Sequence, residues 1–400
     1  MYEFNHEKRI LRFQESLKAE GVGFAVVMRP ANVRYLTGFW GYATRAEYFE
    51  PMRLLCVVVP QQGRPLLVVP KIERSFAEAA TDGLDIQIES HVQWSSPGER
   101  RDSWGIVRDF LVKSGGQNKS VSVERPHLTD KAYRALEEGL EGYSLVESSE
   151  AIERHRDIKD PDEIKLHRAC GHLAAQMFEV ELAAIKEGGY REYEVALKGW
   201  EHNVRACAAC IQDETLNKHY VDSPIGPGAQ LLTSGPRLSR AHGTASTRMI
   251  EPSDMVAIDL CRVPYLLGYR TGFGRVIAQR PLTSAEEDIN AVVKKAYDAA
   301  VDICRPGVPA SDLDVVVRDT FMSAGLGPYM MHRCGRTLGS ESPEIPIAEG
   351  NQRALEADMI ISIEPSIYMD GFQSRIESTF RITDEKPELL TPIHEGLIRA

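Results

Sequence analysis

The chain has 400 residues, of which 43% are hydrophobic and 26% are charged, and its formal net charge at pH 7 is −11. This composition predicts a soluble globular chain long enough for two domains with sizeable cores. The acidic balance argues against a general binder of nucleic acids or of anionic membranes. No apolar run approaches the roughly 20 residues that cross a bilayer. The N-terminal stretch MYEFNHEKRILRFQESLKAEG predicts a charged amphipathic helix, not a signal peptide.

The seven cysteines are scattered along the chain, which is typical of reduced thiols in the cytoplasm. Cys207 and Cys210 form a CxxC pair, but their alanine-rich segment predicts a helix, and no second pair completes a zinc or redox motif. We therefore expect a cytoplasmic protein without a cysteine-based centre.

Short β-rich runs alternate with helical patterns in the N-terminal part of the chain. The runs are GFAVVM, LLCVVVP, PLLVVP and SVSVE. Strands interleaved with helices predict an α/β domain with a covered sheet. Asp160, Pro161 and Asp162 then predict the start of a long helix. We place the domain boundary just before this point, which gives domains at residues 1–153 and 154–400.

Two long helices open the second domain, and further strands and helices follow. MVAIDLCRV and GFGRVIA predict strands, SAEEDINAVVKKAYDAAVDICR and SDLDVVVRDTFMSAG predict helices, and MIISIEPSIYM and SRIESTFRIT predict the closing strands. Helices grouped beside an antiparallel sheet define an α+β domain.

Four polar clusters fall at predicted strand ends or in glycine-rich turns of the second domain. They are the loop of His242, the strand residue Asp259, the segment His332 to Glu344, and the pair Glu364 and Glu377. Glu364 follows an isoleucine-rich run, so its carboxylate is expected to lose water and to need a cation, a proton or a metal. Ordinary interpretations stay open, because a loop histidine is often solvated and Arg375 could form a plain ion pair with Glu377. Three carboxylates in apolar strands nevertheless favour one shared partner.

The order of several motifs resembles the pita-bread family, which includes creatinase, prolidase, aminopeptidase P and methionine aminopeptidase. NVRYLTGF resembles the N-terminal domain of the creatinase and prolidase branch, RDIKDPDEI its interdomain junction, and GYREYEVAL its second-helix region. SGPRLSRAHGTASTRMIEPSDMVAIDL resembles the substrate-histidine loop and first-aspartate strand, and EADMIISIEPSIYMDGFQSRIESTFRIT the closing glutamate strands. The resemblance implies an α/β N-terminal domain followed by an α+β pita-bread catalytic domain.

In the metallopeptidases of this family, two Asp, one His and two Glu hold a pair of divalent ions. Carried over by motif, the resemblance implies four ligands: Asp259, His332, Glu364 and Glu377. Gly272 occupies the position of the second aspartate, which normally bridges both ions, and the family's second histidine is also lost after His332. A hard divalent pair loses ligands on both sides without that aspartate. We therefore expect a degenerate centre with no cofactor, or at most one divalent ion of Mn, Co, Zn or Fe.

The motif forms resemble creatinase and ectoine-hydrolase-like members, in which the same pocket works without metal. This implies a hydrolase that cleaves a C–N bond of a small cationic, amidine or amide substrate. His242 is expected to move a proton between water and the leaving nitrogen, while Glu364 and Glu377 hold the cationic centre.

Four residues complete the expected substrate site: His332, Asp259, Arg53 and Arg336. Arg53 resembles a creatinase arginine that a partner subunit lends to the site, which implies a homodimer. Internal neutralisation of the carboxylates by Arg270, Arg275 or Arg336 is the structural alternative. Three other functions stay open: a metal-dependent Xaa-Pro dipeptidase or aminopeptidase, a metal-using lyase of this family, and a binding member without activity.

Overall fold

The computed structural model describes residues 4–41, 54–92, 102–147, 150–214, 222–226, 230–261, 263–340 and 345–400. The chain divides into two compact units, one built mainly from Glu3–Arg156 and the other from Asp157–Leu216 and Asp222–Ala400. The predicted division between residues 153 and 154 falls inside a helix, Ala151–Asp157, and stays a proposal for the functional domains.

The first unit contains a mixed six-stranded sheet with the strand order β4-β3-β2-β1-β5-β6. Its strands are β1 Phe24–Val27, β2 Cys56–Pro60, β3 Leu66–Pro70, β4 Gln87–His91, β5 Ser120–Val123 and β6 Ser144–Glu147. Its helices are α1 His6–Ala19, α2 Pro30–Thr37, α3 Arg74–Ala80, α4 Ser103–Ser114 and α5 Asp130–Glu137, followed by α6 Ala151–Asp157. β1 pairs antiparallel with β2 and parallel with β5.

Side chains of β1 alternate between two apolar cores, as the two-residue period of a strand requires. Ala25 and Val27 join one core, and Phe24 and Val26 join the other. All four predicted strands of this unit are confirmed. The two that were not predicted, β4 and β6, are half-buried or exposed along most of their length and have no continuous apolar run.

The second unit opens with two long helices, as expected. Its helices are α7 Pro161–Glu187, α8 Glu192–Glu214, α9 Ser284–Ile303 and α10 Ala310–Ser323. The predicted start of α7 is confirmed: Asp160 caps the helix, its side chain accepts from the Glu163 amide, and the Glu163 side chain accepts from the Asp160 amide. The CxxC pair lies on α8, and none of the seven cysteines forms a disulfide within the part of the chain that the structure describes.

Twelve further strands follow in the described part of this unit. They are β7 Leu231–Ser234, β8 Met255–Asp259, β9 Tyr265–Leu266, β10 Tyr269–Arg270, β11 Gly274–Ala278, β12 Gly335–Thr337, β13 Pro346–Ile347, β14 Ile360–Ile363, β15 Ser366–Met369, β16 Phe372–Arg381, β17 Glu388–Leu389 and β18 Ile398–Arg399.

A ten-stranded sheet forms the centre of this unit, with the path β13-β12-β14-β16-β11-β8-β7. β15 and β17 pair with β16, and β18 pairs with β11. All of these pairings are antiparallel except β11 with β18. The apolar side chains of α9 and α10 pack with those of β14 and β16 in one core, which leaves the polar residues of these strands for another face. Within the described ranges, no helix has the length and apolarity that a membrane crossing needs.

Candidate active site

Neighbouring strands of the second sheet bring acidic side chains to one face. Asp259 is the last residue of β8 and pairs with Gly274 on β11, which in turn pairs with Glu377 on β16. Glu364 follows β14 directly, and its amide donates to the Cys334 carbonyl at 2.6 Å. Residues opposite one another on paired strands share a face. The register therefore places Asp259 and Glu377 on the same face, on either side of a residue that has no side chain.

Arg375 lies at the centre of this face and contacts all three carboxylates. It stands two residues before Glu377 on β16, so both side chains point the same way. Its Nη2 lies 2.8 Å from Asp259 Oδ2, 3.1 Å from Glu364 Oε2 and 2.5 Å from Glu377 Oε2. The arginine side chain is 5% exposed, so these charge-assisted contacts form almost entirely away from water.

Two glycines leave the space that this arrangement needs. A Cβ at position 274 would lie 2.7 Å from Arg375 Nε. A Cβ at position 272 would lie 2.9 Å from Ser362 Oγ and would also collide with Glu377 Oε1. Gly274 therefore lets the guanidinium of Arg375 cross β11 to Asp259. A side chain at position 272 would require the side chains of Glu377 and Ser362 to shift.

Arg336 supplies a second positive charge from β12. Its Nη1 lies 3.6 Å from Glu364 Oε1, and its Nη2 lies 3.7 Å from Glu377 Oε1. At these distances Arg336 forms ion pairs with both carboxylates but no hydrogen bond. Ser362 on β14 is the register partner of Arg336 on β12. Its hydroxyl donates a hydrogen bond to Glu377 Oε1 at 2.8 Å. Internal neutralisation thus involves Arg336, as the sequence suggested, together with Arg375.

The three carboxylates differ in charge state because their partners differ. Burial raises the pKa of Asp259 to about 6, although the charge of Arg375 opposes this. Burial and the charge of Glu377 raise the pKa of Glu364 to about 7. Burial also acts to raise the pKa of Glu377, but Arg375 and Arg336 outweigh it and hold that pKa at about 2. Glu377 is therefore the carboxylate of the three that keeps its charge over the widest pH range.

His332 does not contact the carboxylates and instead supports Arg375 through a tyrosine. Its Nδ1 lies 2.7 Å from the Arg333 carbonyl, which can only accept, so Nδ1 carries the proton. Its Nε2 then accepts from the Tyr368 hydroxyl at 2.9 Å, and that hydroxyl accepts from Arg375 Nη1 at 2.8 Å. Burial and the charge of Arg375 lower the pKa of His332 to about 4. The ring is therefore neutral at pH 7, and its Nε2 is free of a proton, as accepting from Tyr368 requires.

The remaining predicted residues lie outside this cluster. His242 is exposed in the segment between β7 and β8, although its charge contributes to lowering the pKa of His332. Arg53 lies outside the described residues. Arg275, one of the arginines considered for internal neutralisation, is buried and donates to backbone carbonyls, including those of Glu377 and His394.

Sequence reasoning missed two members of the cluster and underestimated a third. Ser362 and Tyr368 were not identified, and Arg375 was considered only as an ordinary partner of Glu377. The signal for Ser362 was the two-residue spacing before Glu364, which puts both on one face of an extended strand. No comparable spacing signal marks Tyr368, because its contact depends on how β15 pairs with β16.

Comparison with known proteins identifies the class to which this arrangement belongs. Residues 165–384 match the model of metallopeptidase family M24, and residues 9–158 match the creatinase/prolidase N-terminal domain. The Bacillus subtilis protein YkvY, whose name attributes a dipeptidase activity to it, is 28% identical over 400 residues, covering 98% of this chain and 99% of that protein.

Solved structures show the same fold over the whole chain. A recombinant prolidase from Thermococcus sibiricus has a TM-score of 0.77 at 25% identity, and 100% of each chain is covered. An Xaa-Pro dipeptidase from Bacillus anthracis has a TM-score of 0.79 at 23% identity, covering 99% of this chain and 100% of that one. The two units thus form a creatinase/prolidase-type N-terminal domain and a pita-bread catalytic domain.

The chain belongs to metallopeptidase family M24. The expected family, the fold class and a hydrolase acting on C–N bonds are confirmed. Two expectations are wrong, because membership of a metallopeptidase family contradicts both the absence of a cofactor and the metal-free, creatinase-like reaction. The physical reason for the error lies at Gly272: the glycine removes one ligand, yet three carboxylates still converge on one point.

Convergence of three carboxylate oxygens is the donor chemistry of a hard divalent cation. Among the described residues, no three His, Cys, Asp or Glu side chains are placed to hold a metal ion as they stand. The point of convergence holds Arg375 Nη2 instead. The three carboxylates are nevertheless the donor type that suits one divalent cation. They do not fit a pair, since the glycine at position 272 supplies no ligand.

Proposed function

We propose that the chain is a metal-dependent dipeptidase that cleaves the peptide bond of Xaa-Pro dipeptides. The observation that carries the proposal is the match over both domains to a protein named for a dipeptidase activity and to a prolidase, at 28% and 25% identity. The converging carboxylates support it, because they offer a divalent cation its preferred donors in a buried position. This proposal replaces the creatinase-like reaction.

Asp259, Glu364 and Glu377 would hold the divalent ion. When bound, such an ion supplies Lewis-acid activation of water and of the scissile carbonyl. His332 has both ring nitrogens engaged in hydrogen bonds, and its role as a ligand remains a prediction from motif resemblance.

Other residues of the chain would bind the dipeptide and move its protons. Arg336, partly exposed at 15%, can turn its guanidinium toward the free carboxylate of the dipeptide and form a bidentate contact. His242 has an exposed imidazole, which can deliver a proton to the leaving nitrogen. Tyr368 would keep Arg375 in place through its hydroxyl.

The test is hydrolysis of Ala-Pro and Leu-Pro by metal-stripped full-length protein, with and without added Mn²⁺, read as released proline. We expect proline release that depends on Mn²⁺ and that falls by at least about a hundredfold in Glu364→Gln. Glu385→Gln, which removes an exposed carboxylate of the same unit, is the matched control and should keep wild-type activity.

Creatine and an ectoine-type substrate belong in the same screen. Turnover of either of these without metal, together with inert Xaa-Pro dipeptides, would overturn the proposal.

The proposal extends to assembly and location. The motif resemblance implies a cytoplasmic homodimer in which Arg53 of one subunit reaches the dipeptide in the other. Sedimentation of the purified protein tests the assembly. A monomer at micromolar concentration that retains full dipeptidase activity would exclude a role for a lent Arg53.

A further inference from the structure

A buried carboxylate holds both ends of the segment that carries His242. Glu192 is the first residue of α8, and its side chain has 0% exposure. Its Oε1 accepts from the amide and the hydroxyl of Ser234, at 2.8 and 2.7 Å. Its Oε2 accepts from the amide and the hydroxyl of Ser246, at 2.9 and 2.6 Å. Ser234 ends β7, so one carboxylate closes residues 235–245 into a loop.

An arginine from inside the segment contacts the same carboxylate. Arg237 Nη1 forms an ion pair with Glu192 Oε2 and donates to Ser246 Oγ at 2.9 Å. Arg237 Nη2 donates to the Thr244 carbonyl at 2.8 Å. Because Thr244 lies two residues after His242, the arginine connects the start of the segment to the backbone beside the histidine.

Arg248 and Asp254 form a second ion pair that adjoins the first. The two terminal nitrogens of Arg248 lie 2.5 and 3.1 Å from the carboxylate oxygens of Asp254, and Nη1 also donates to Ser234 Oγ at 2.7 Å. Ser234 Oγ therefore accepts from Arg248 and donates to Glu192. Two carboxylates face two guanidiniums in this network, so the buried charge of Glu192 is compensated within the chain.

The imidazole of His242 is exposed, so the network around its segment determines how firmly it is held. Segments that connect strands across a protein surface are more mobile than the strands themselves. The charge of His242 also helps to lower the pKa of His332, which places the two imidazoles within electrostatic reach of each other. The network therefore holds a segment that borders the candidate active site.

We propose that Glu192 is a positioning residue: it fixes residues 235–245 and so sets the place from which the imidazole of His242 delivers its proton. The inference rests on the proposed function, in which His242 protonates the leaving nitrogen. A proton donor must stay within hydrogen-bond reach of the atom that receives its proton, and small displacements of a reacting group are costly. Loss of Glu192 therefore slows the chemical step more than it weakens binding of the dipeptide.

The kinetic test compares single and double variants of the full-length protein with Mn²⁺ and Ala-Pro. Glu192→Gln replaces Oε2 with an amide nitrogen that cannot accept, and kcat should fall at least about tenfold with less than about a twofold change in KM. His242→Ala should lower kcat about a hundredfold. The double variant should stay within about twofold of His242→Ala, because Glu192 acts through that residue.

Two further variants separate this effect from a general loss of structure. Ser246→Ala keeps the buried carboxylate and removes one hydroxyl from it, so kcat should fall only about threefold, and this loss should also vanish in the His242→Ala background. Glu201→Gln removes a carboxylate on the same helix that is 61% exposed, and it should keep wild-type kcat.

Trypsin digestion of the native proteins gives a measurement that needs no activity. Arg240 lies inside the segment, and cleavage after it requires the segment to open locally. The rate of this cleavage, followed by mass spectrometry, should rise at least about fivefold in Glu192→Gln and stay at the wild-type value in Glu201→Gln.

Two results would overturn the proposal. One is a double variant whose loss in kcat is the product of the two single losses, since Glu192 would then act independently of His242. The other is an unchanged rate of cleavage after Arg240 in Glu192→Gln. Failure of the proposed function would look different: faster cleavage in Glu192→Gln without hydrolysis of any Xaa-Pro dipeptide by the wild type would support the anchoring of the segment and exclude the dipeptidase.

Discussion

Two glutamates of the second unit are completely buried and yet reach opposite charge states. Glu181 on α7 and Glu377 on β16 both have 0% exposure. Glu181 has one hydrogen bond, accepted by Oε1 from Gln230 Nε2 at 2.7 Å, and its Oε2 has no hydrogen-bond partner among the described residues. Glu377 faces two arginines. Burial raises the pKa of Glu181 well above its usual range, whereas the arginines hold the pKa of Glu377 at about 2.

Burial alone therefore does not decide whether a carboxylate is charged. Moving a charge out of water is costly, and a protein avoids the cost either by keeping the group protonated or by placing a cation beside it. Glu181 on α7 avoids the cost by staying protonated, and Glu377 on the sheet face avoids it by having arginines beside it. A protonated acid can stay buried without a neighbouring cation. A charged carboxylate, in contrast, destabilises the fold when its cationic partner is removed.

The largest effect is expected from removing the central arginine. Arg375→Met leaves three buried carboxylates with only the more distant Arg336, and the free energy of unfolding should fall by about 3–5 kcal/mol. Urea denaturation of variant and wild type at pH 7 measures this. A loss below about 1 kcal/mol would mean that the carboxylates become protonated or hydrated at little cost, and that the cluster does not depend on its cation.

A smaller loss is expected from filling the glycine beside Glu377. In Gly272→Ala the new methyl group meets the Glu377 carboxylate and Ser362, and overpacking of this kind costs about 1–3 kcal/mol. Gly339→Ala is the control, since a Cβ there would make ordinary contacts with Lys159 at 3.5 Å. Thermal unfolding should separate the two variants by several degrees. Equal melting temperatures would show that the strands shift to admit a side chain at position 272.

The neutral member of the comparison predicts a pH dependence. The folded-state pKa of Glu181 is raised above the unfolded-state pKa of about 4.5. Its contribution to the free energy of unfolding is therefore complete below pH 4.5 and is lost as the pH rises toward the folded-state pKa. Over that range the loss is at most about 1.4 kcal/mol per pH unit for this group.

Glu181→Gln removes this dependence. The variant should therefore gain stability over the wild type between pH 5 and 8 and lose the advantage near pH 4. Denaturation at several pH values measures the difference, and Glu179→Gln, an exposed neighbour on the same helix, should follow the wild type. A constant difference across the pH range would show that Glu181 is ionised in the fold.

The same contrast explains what the sequence could predict. The carboxylates at Asp259, Glu364 and Glu377 could be found because a charged residue in an apolar strand stands out. Their shared partner could not, since several arginines were available and only the strand register decides among them. On β11 the side chain of Arg275 alternates away from the position of Gly274 and reaches backbone carbonyls instead of the carboxylates.

Arg375 reaches Asp259 only because position 274 has no side chain. This close approach between strands far apart in the sequence leaves no local pattern. The strands β4 and β6 were missed for a related reason, since their side chains are mostly exposed and their sequences lack an apolar run.

The smallest effect is expected at the surface end of β16, where a second arginine also meets two carboxylates. Arg381 lies 2.7 Å from Asp358 and 3.2 Å from Glu388, but its side chain is 27% exposed. Exposed ion pairs contribute about 0–1 kcal/mol and are screened by salt. Arg381→Gln should therefore lower the free energy of unfolding by less than about 1 kcal/mol, and less still in 1 M NaCl. The contrary result is that Arg381→Gln lowers the free energy of unfolding as much as Arg375→Met does. The number of carboxylates around an arginine, and not their burial, would then set its contribution to stability, and the contrast between buried and exposed charge would lose its basis.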